Sequence, residues 1–278
     1  MSDFHVESEE NITNMSTRRT IFALFWISTL FLNLDTGVIP TAQIVMENSL
    51  DITKGQIAFL AGIAYLGLAV TSLFVSSVMN RFPAKSVLIV AAFGNALACF
   101  VFARQKSYFW LVISRAVLGA FQAFFFCYAP VWINHFAPRS SASTWLSLQQ
   151  IFSCIGITLG YVVGSFATDY EGTWVEQYFD WRSAFAAQGY ALVVIGLLFC
   201  FFDNRDIDIL RTETEYGDSE IQPGSLASPR RTQEELNQEW SWLDQVPVCN
   251  EICALFTNAM YLLITLTITV FFFSATGL

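Results

Sequence analysis

Apolar residues in this chain come in long unbroken runs with polar clusters between them, not on alternate positions or a single helical stripe. A helix needs about 20 predominantly apolar residues to cross a hydrocarbon layer. Seven runs qualify: 20–46, 56–79, 86–103, 108–133, 144–167, 183–202 and 252–278. Lipid offers no partner to an open sheet edge, so every run is expected to be a helix. The predicted fold is an all-α, polytopic membrane bundle. A polar tail (1–19) precedes six helices (20–202), and an acidic linker (203–247) leads to a seventh span (248–278), read as the start of a missing second half. Within the linker, Pro223, Gly224, Ser225, Ser228 and Pro229 mark solvated chain. Thr232 and Glu235 there fit a capping box, and Leu236, Trp240 and Leu243 then share one face of a short helix, either amphipathic and lying on the inner membrane surface or solvated with aromatics there by chance.

Composition agrees with the pattern. With 54% hydrophobic and 13% charged residues, the chain is neither disordered nor fibrous, and its apolar runs are too long for a soluble enzyme. The net charge of −9 comes mostly from the tail, two loops and the linker, and points to no partner. Cys99, Cys127, Cys154 and Cys200 lie inside apolar runs, where thiols behave as small hydrophobes. There is no phosphate-binding loop, no Gly-x-Ser-x-Gly and no metal-ligand cluster, so no enzyme, cofactor or nucleic-acid partner is expected. Basic residues fall unevenly. Arg18, Arg19, Arg81, Lys85, Arg139, Arg205, Arg211, Arg230 and Arg231 lie on one side, against Lys54, Arg104, Lys106 and Arg182 on the other. That bias predicts a cytoplasmic N-terminus in a multi-pass plasma or endolysosomal membrane.

Two charged side chains interrupt the spans, Asp35 in the first and Arg115 in the fourth. A charge in the bilayer costs at least about 2.5–3.5 kcal/mol, which makes it a candidate functional group. At about 1.5 Å per residue, Asp35 lies about 9 Å inside the end of helix 1 near Thr41, and Arg115 about 10 Å inside the start of helix 4 at Tyr108. These depths match, so the two can pair if their helices face a common cavity. Gln122 shares the azimuth of Arg115 nearly two turns deeper; Tyr128 and Asn134 follow on that helix, and Gln149 and Gln150 enter helix 5. A hydrated cavity lined by Asp35, Arg115, Gln122 and Gln149 is one way to satisfy these groups; interhelical hydrogen bonding is the other. Gly156, Gly160 and Gly164 form a small-residue stripe for close helix packing, with Gly62 and Gly67 lightening helix 2. Pro40 and Pro130 place a kink in each helix that carries a charge. Helices 1–3 and 4–6 thus read as two three-helix repeats, an arrangement that transporters use around a central site.

The residues resemble the major facilitator superfamily, and more narrowly its Spinster-like transporters. The likeness is carried by Asn33-Leu-Asp35 with Gly37-Val-Ile-Pro40, by Asn80-Arg-Phe-Pro-Ala-Lys85, and by Arg115-Ala-Val-Leu-Gly119-Ala-Phe-Gln122-Ala123 with Tyr128-Ala-Pro130. It continues in Gly160-Tyr-Val-Val-Gly164-Ser165 and Trp181-Arg182. The resemblance implies a secondary carrier of a small organic or lipid-like solute, driven by protons or facilitative. Asp35, Arg115, Gln122, Gln149 and Tyr128 would lie on the substrate or proton pathway, and Asn80, Arg81 and Lys85 in a gating loop. The family usually has an acid where Gln122 stands and an Asp where Asn80 stands. Its full form has twelve helices, which implies a second half or a second copy. A seven-helix receptor and a non-transporting scaffold are the competing readings.

Overall fold

The computed structural model describes residues 2–138, 140–169 and 180–209, with side chains over 16–138, 140–166 and 180–209. The chain divides into two compact units, 1–220 and 221–278, and all described residues belong to the first. The seventh span and the amphipathic helix expected at 232–243 lie outside the described residues.

The described chain is all-α: α1 (Ser2–Leu32), α2 (Leu34–Thr41), α3 (Gln43–Leu50), α4 (Lys54–Arg81), α5 (Ala84–Arg104), α6 (Tyr108–Phe136), α7 (Ala142–Asp169), α8 (Trp181–Phe201) and α9 (Asn204–Ile207). Six stretches are long and apolar enough to span a membrane, the first being Ser16–Thr41 across α1 and α2. They are called helices 1 to 6 below. The first apolar run is cut twice, at Asn33 and at Ala42, where the sequence suggested one kink at Pro40. At Asn33 the turn tightens: Thr36 N–H donates to Asn33 O (3.2 Å), while Asn33 Nδ2 donates to Thr29 O (2.7 Å). Pro40 has no N–H to continue the ladder, and the chain re-forms α3 three residues past it, at Gln43. Pro130 causes no such break, since α6 runs on through it.

Local chemistry sets the turns. Asp51 ends α3 in the left-handed region (φ 53°), which its short polar side chain tolerates. Thr53 and Gln56 then close a capping box, Gln56 Oε1 accepting from Thr53 N–H at 2.8 Å.

Helix 1 packs on helix 5, helix 2 on helix 4, and helix 3 on helix 6. Exchanging the two triplets maps this pairing onto itself, as two repeats require. Both heterologous crossings bring backbone against backbone. A Cβ at Gly119 would overlap Ala64 O, and one at Gly67 would overlap Ala116 O. On the other crossing Gly156, Gly160 and Gly164 meet Leu30 O, Leu34 O and Thr41 Oγ1, while Gly37 meets Ile157 O. Only hydrogen fits in these gaps.

The apolar interior is two clusters rather than one. One contains Leu32, Cys99, Leu118 and Leu192; the other contains Leu34, Phe102, Leu111 and Phe185. Along each of helices 1, 3, 4 and 6 the boundary falls within one or two turns, so a single polar seam crosses the bundle.

Candidate functional site

Asp35 and Arg115 lie in that seam. The Asn33 turn starts α2 with Asp35 in its first turn, facing inward, and Arg115 projects from the second turn of α6. They form a direct ion pair, Arg115 Nη1 donating to Asp35 Oδ2, with both side chains only 2% exposed. Arg115 Nε reaches Leu60 O of helix 2 at 3.4 Å. Its guanidinium lies 5.7 Å from the Phe102 ring centre and 6.0 Å from that of Phe185, both on its cation-attracting faces. The other carboxylate oxygen, Oδ1, accepts from Gln122 Nε2 (3.4 Å) and Gln188 Nε2 (3.3 Å). Gln122 Nε2 also donates to Leu32 O (2.7 Å), at the end of α1 where the helix breaks. The buried charges are thus shared among helices 1, 2, 4 and 6. Such a pair is held by its extra hydrogen bonds, because attraction alone barely offsets desolvation.

The structure brings together Asp35, Arg115 and Gln122. Among the described residues their partners are protein atoms, the interhelical hydrogen bonding that the sequence allows beside a hydrated cavity. Gln149 is buried elsewhere, nearer the start of helix 1, and donates from Nε2 to Thr29 Oγ1. Gln150 and Asn134 are exposed. Tyr128 does not reach the seam: its hydroxyl donates to Ile207 O at 2.6 Å. Gln188, buried at 1% exposure with Oε1 unpartnered, is a member that the sequence reading missed. The signal was present, an amide in the middle of an apolar span.

The expected gating residues lie at the bundle end where helix 1 starts. Asn80 and Arg81 are exposed, and Lys85 Nζ donates to Phe202 O (2.6 Å) and Cys200 O (3.1 Å), closing the end of helix 6. There the linker, expected to be solvated from residue 203, begins with a docked segment. Ile207 is fully buried, Trp132 Nε1 donates to Asp206 O (3.0 Å), and Asp208 Oδ2 accepts from Ala84 N (3.2 Å). Burial and the nearby Asp203 push the Asp206 carboxyl up from its ordinary value, with Arg18 pulling it back. Among the described residues there is no His, Cys, Asp and Glu group able to hold a metal ion.

A six-helix bundle of membrane-spanning length in two pseudo-equivalent triplets, with an ion pair buried between the first helix of each, is the repeat architecture that membrane transport proteins use around a central site. The chain belongs to the Major Facilitator Superfamily, whose family model matches residues 24–278. It is 26% identical over 168 residues to a D-xylose transporter of Levilactobacillus brevis, covering 60% of this chain and 35% of that one. With the probable polyol transporter 4 of Arabidopsis thaliana it shares 28% over 206 residues, covering 72% and 37%. The fold matches the proton:xylose symporter XylE bound to 6-bromo-6-deoxy-D-glucose with a TM-score of 0.60 at 18% identity, covering 73% of this chain and 48% of that one. An inward-open form of the xylose transporter XylE from E. coli gives a TM-score of 0.57 at 17% identity, covering 73% and 53%. The chain therefore spans about a third of the length of these curated relatives.

Proposed function

We propose that this chain supplies the first half of an alternating-access carrier for a small polyhydroxylated solute, a sugar or polyol, with Asp35 as the group whose charge couples protons to movement. The single observation that carries this reading is the Asp35–Arg115 pair, buried in the seam where the two triplets meet and embraced by Gln122 and Gln188. A carboxylate held by one guanidinium and two amides loses its strongest partner when it binds a proton. The pair then loosens, and the helices that bear it are released. The named activities of the relatives supply the solute class. A second half, on a longer chain or as a second copy, completes the carrier. In this arrangement the N-terminus faces the cytoplasm, Asn80, Arg81 and Lys85 belong to the inner gate, and Tyr128 works there through the docked segment. Superfamily membership favours a carrier over the seven-helix receptor or an inert scaffold.

A lipid-like cargo is the second reading, favoured by the Spinster-like strings of helices 4 and 5. The test is uptake into proteoliposomes of labelled D-xylose and xylitol, with a lysophospholipid as competitor. Asp35→Asn is expected to abolish proton-driven uptake and leave solute exchange partly intact; unchanged pH dependence in that variant refutes coupling. Competition by the lysophospholipid alone selects the second reading.

A further inference from the structure

Helix 6 carries an acceptor that is not in use. Among the described residues Gln188 Oε1 is buried and has no hydrogen-bond partner, although Nε2 of the same amide donates to Asp35 Oδ1 at 3.3 Å. Gln188 follows the helix start at Trp181 by about 10 Å, at about 1.5 Å per residue, which is the depth of Asp35 and Arg115. The second amide at that oxygen is placed differently. Gln122 Nε2 is 3.4 Å from Asp35 Oδ1 but only 2.7 Å from Leu32 O, so the main chain of helix 1 holds it as a donor.

These contacts suit an ionised carboxylate, which only accepts. A proton changes the requirement. Oδ2 faces the guanidinium donor of Arg115, so the proton goes to Oδ1, and the new O–H needs an acceptor where two N–H groups now point. Turning Gln122 would set its oxygen against Leu32 O, two acceptors face to face. Gln188 has no such second bond to lose among the described residues. Its oxygen and its NH2 group are nearly the same size, so half a turn about the last side-chain torsion exchanges them without a change of shape. Oε1 then stands where Nε2 stood, within reach of the carboxyl O–H. Other titratable groups within electrostatic reach of Asp35 are Arg115 on helix 4, Tyr65 on helix 2 and Cys99 on helix 3, with Tyr161 of helix 5 acting on Tyr65. All four already carry their protons at neutral pH, so none competes for the added one. We infer that the Gln188 amide is a positioning group that reads the protonation state of Asp35, donating to the carboxylate through Nε2 and, after half a turn, accepting from the carboxylic acid through Oε1. The inference rests on the proton-coupling reading above and deepens it. Neutralisation on helix 1 becomes, on helix 6, the exchange of an idle acceptor for an idle donor.

The experiment is infrared difference spectroscopy, acid minus neutral, on the full chain in nanodiscs with glutamine isotopically labelled at the side-chain amide carbon. Wild type is expected to gain a carboxylic acid C=O band that Asp35→Asn lacks, together with a downshift of one labelled glutamine C=O band, because that oxygen gains a hydrogen bond. In Gln188→Leu the glutamine shift is expected to vanish and the carboxylic acid band to move, its O–H having lost the acceptor. Gln188→Met, unbranched and of similar length, repeats the test should the leucine variant not fold. Gln122→Leu is expected to keep the glutamine shift. A side chain that merely fills space would move neither band. A glutamine shift that survives in the Gln188 variants, that disappears in Gln122→Leu instead, or that is missing from wild type beside an Asp35 band, overturns the inference and leaves proton coupling standing. If acidification yields no band that depends on Asp35, coupling at this residue fails and the inference falls with it.

Discussion

Replacing Asp35 by Asn keeps the shape of the side chain and removes its charge. Arg115 cannot release its proton, so a buried cation is left without its anion. Breaking a buried pair by removing one partner costs about 3–5 kcal/mol. The guanidinium keeps Leu60 O at 3.4 Å and the Phe102 and Phe185 rings at 5.7 and 6.0 Å. Each ring contact returns about 0.5–2 kcal/mol when desolvated, which brings the expected loss to the lower end, about 3 kcal/mol. Arg115→Gln is milder, because the stranded carboxylate keeps Gln122 and Gln188 as donors. The double variant places two neutral amides face to face and is expected to be less damaged than Asp35→Asn alone. The cycle should therefore show a coupling of about 2–3 kcal/mol. Reversible unfolding in mixed micelles, followed by tryptophan fluorescence, measures all four corners. Single losses that add to within about 0.5 kcal/mol refute the claim that the two charges are energetically one unit.

The packing and the docked segment set three further outcomes. Gly119→Ala is expected to force helices 2 and 4 apart and lower stability by about 1–3 kcal/mol, whereas Gly62→Ala, with nothing within 4 Å, should leave the thermal midpoint nearly unchanged. Asp206 has its folded-state pKa raised, so the docked state binds the proton more readily than the open one. Docking of residues 204–208 is then weakest above that raised value and tightens as pH falls through it toward the ordinary carboxylate range. Hydrogen exchange of this segment should slow on mild acidification, and Asp206→Asn should remove the response. Tyr128→Phe, which loses the bond to Ile207 O, should speed the same exchange about fivefold at any pH.

Much of the bundle is legible from hydropathy, because in a membrane the run of apolar residues is itself the element. The matched depth of Asp35 and Arg115 is likewise simple arithmetic on helical rise. Other features depend on backbone and distance. Leu60 O and Leu32 O accept from Arg115 and Gln122, and no residue identity advertises a carbonyl. The Asn33 break was hidden because Pro40 offered a more conspicuous kink. The family resemblance sets Tyr128 on the pathway, while its partner, Ile207, stands 79 residues later in a stretch whose composition reads as solvated. Gln188 met the same criterion as Gln122, a polar group in an apolar span, and its contact with Asp35 links residues 153 apart.

The glycine crossings bear on how this bundle would respond to a change of charge. Gly37 is two residues from Asp35 and abuts helix 5, and Gly119 is four residues from Arg115 and abuts helix 2 at Ala64, one turn from the carbonyl that Arg115 holds. Where main chain rests on main chain, no rotamer can flex to absorb a displacement. A shove delivered at either charged residue therefore passes undamped into the neighbouring rod, from helix 1 to helix 5 and from helix 4 to helix 2.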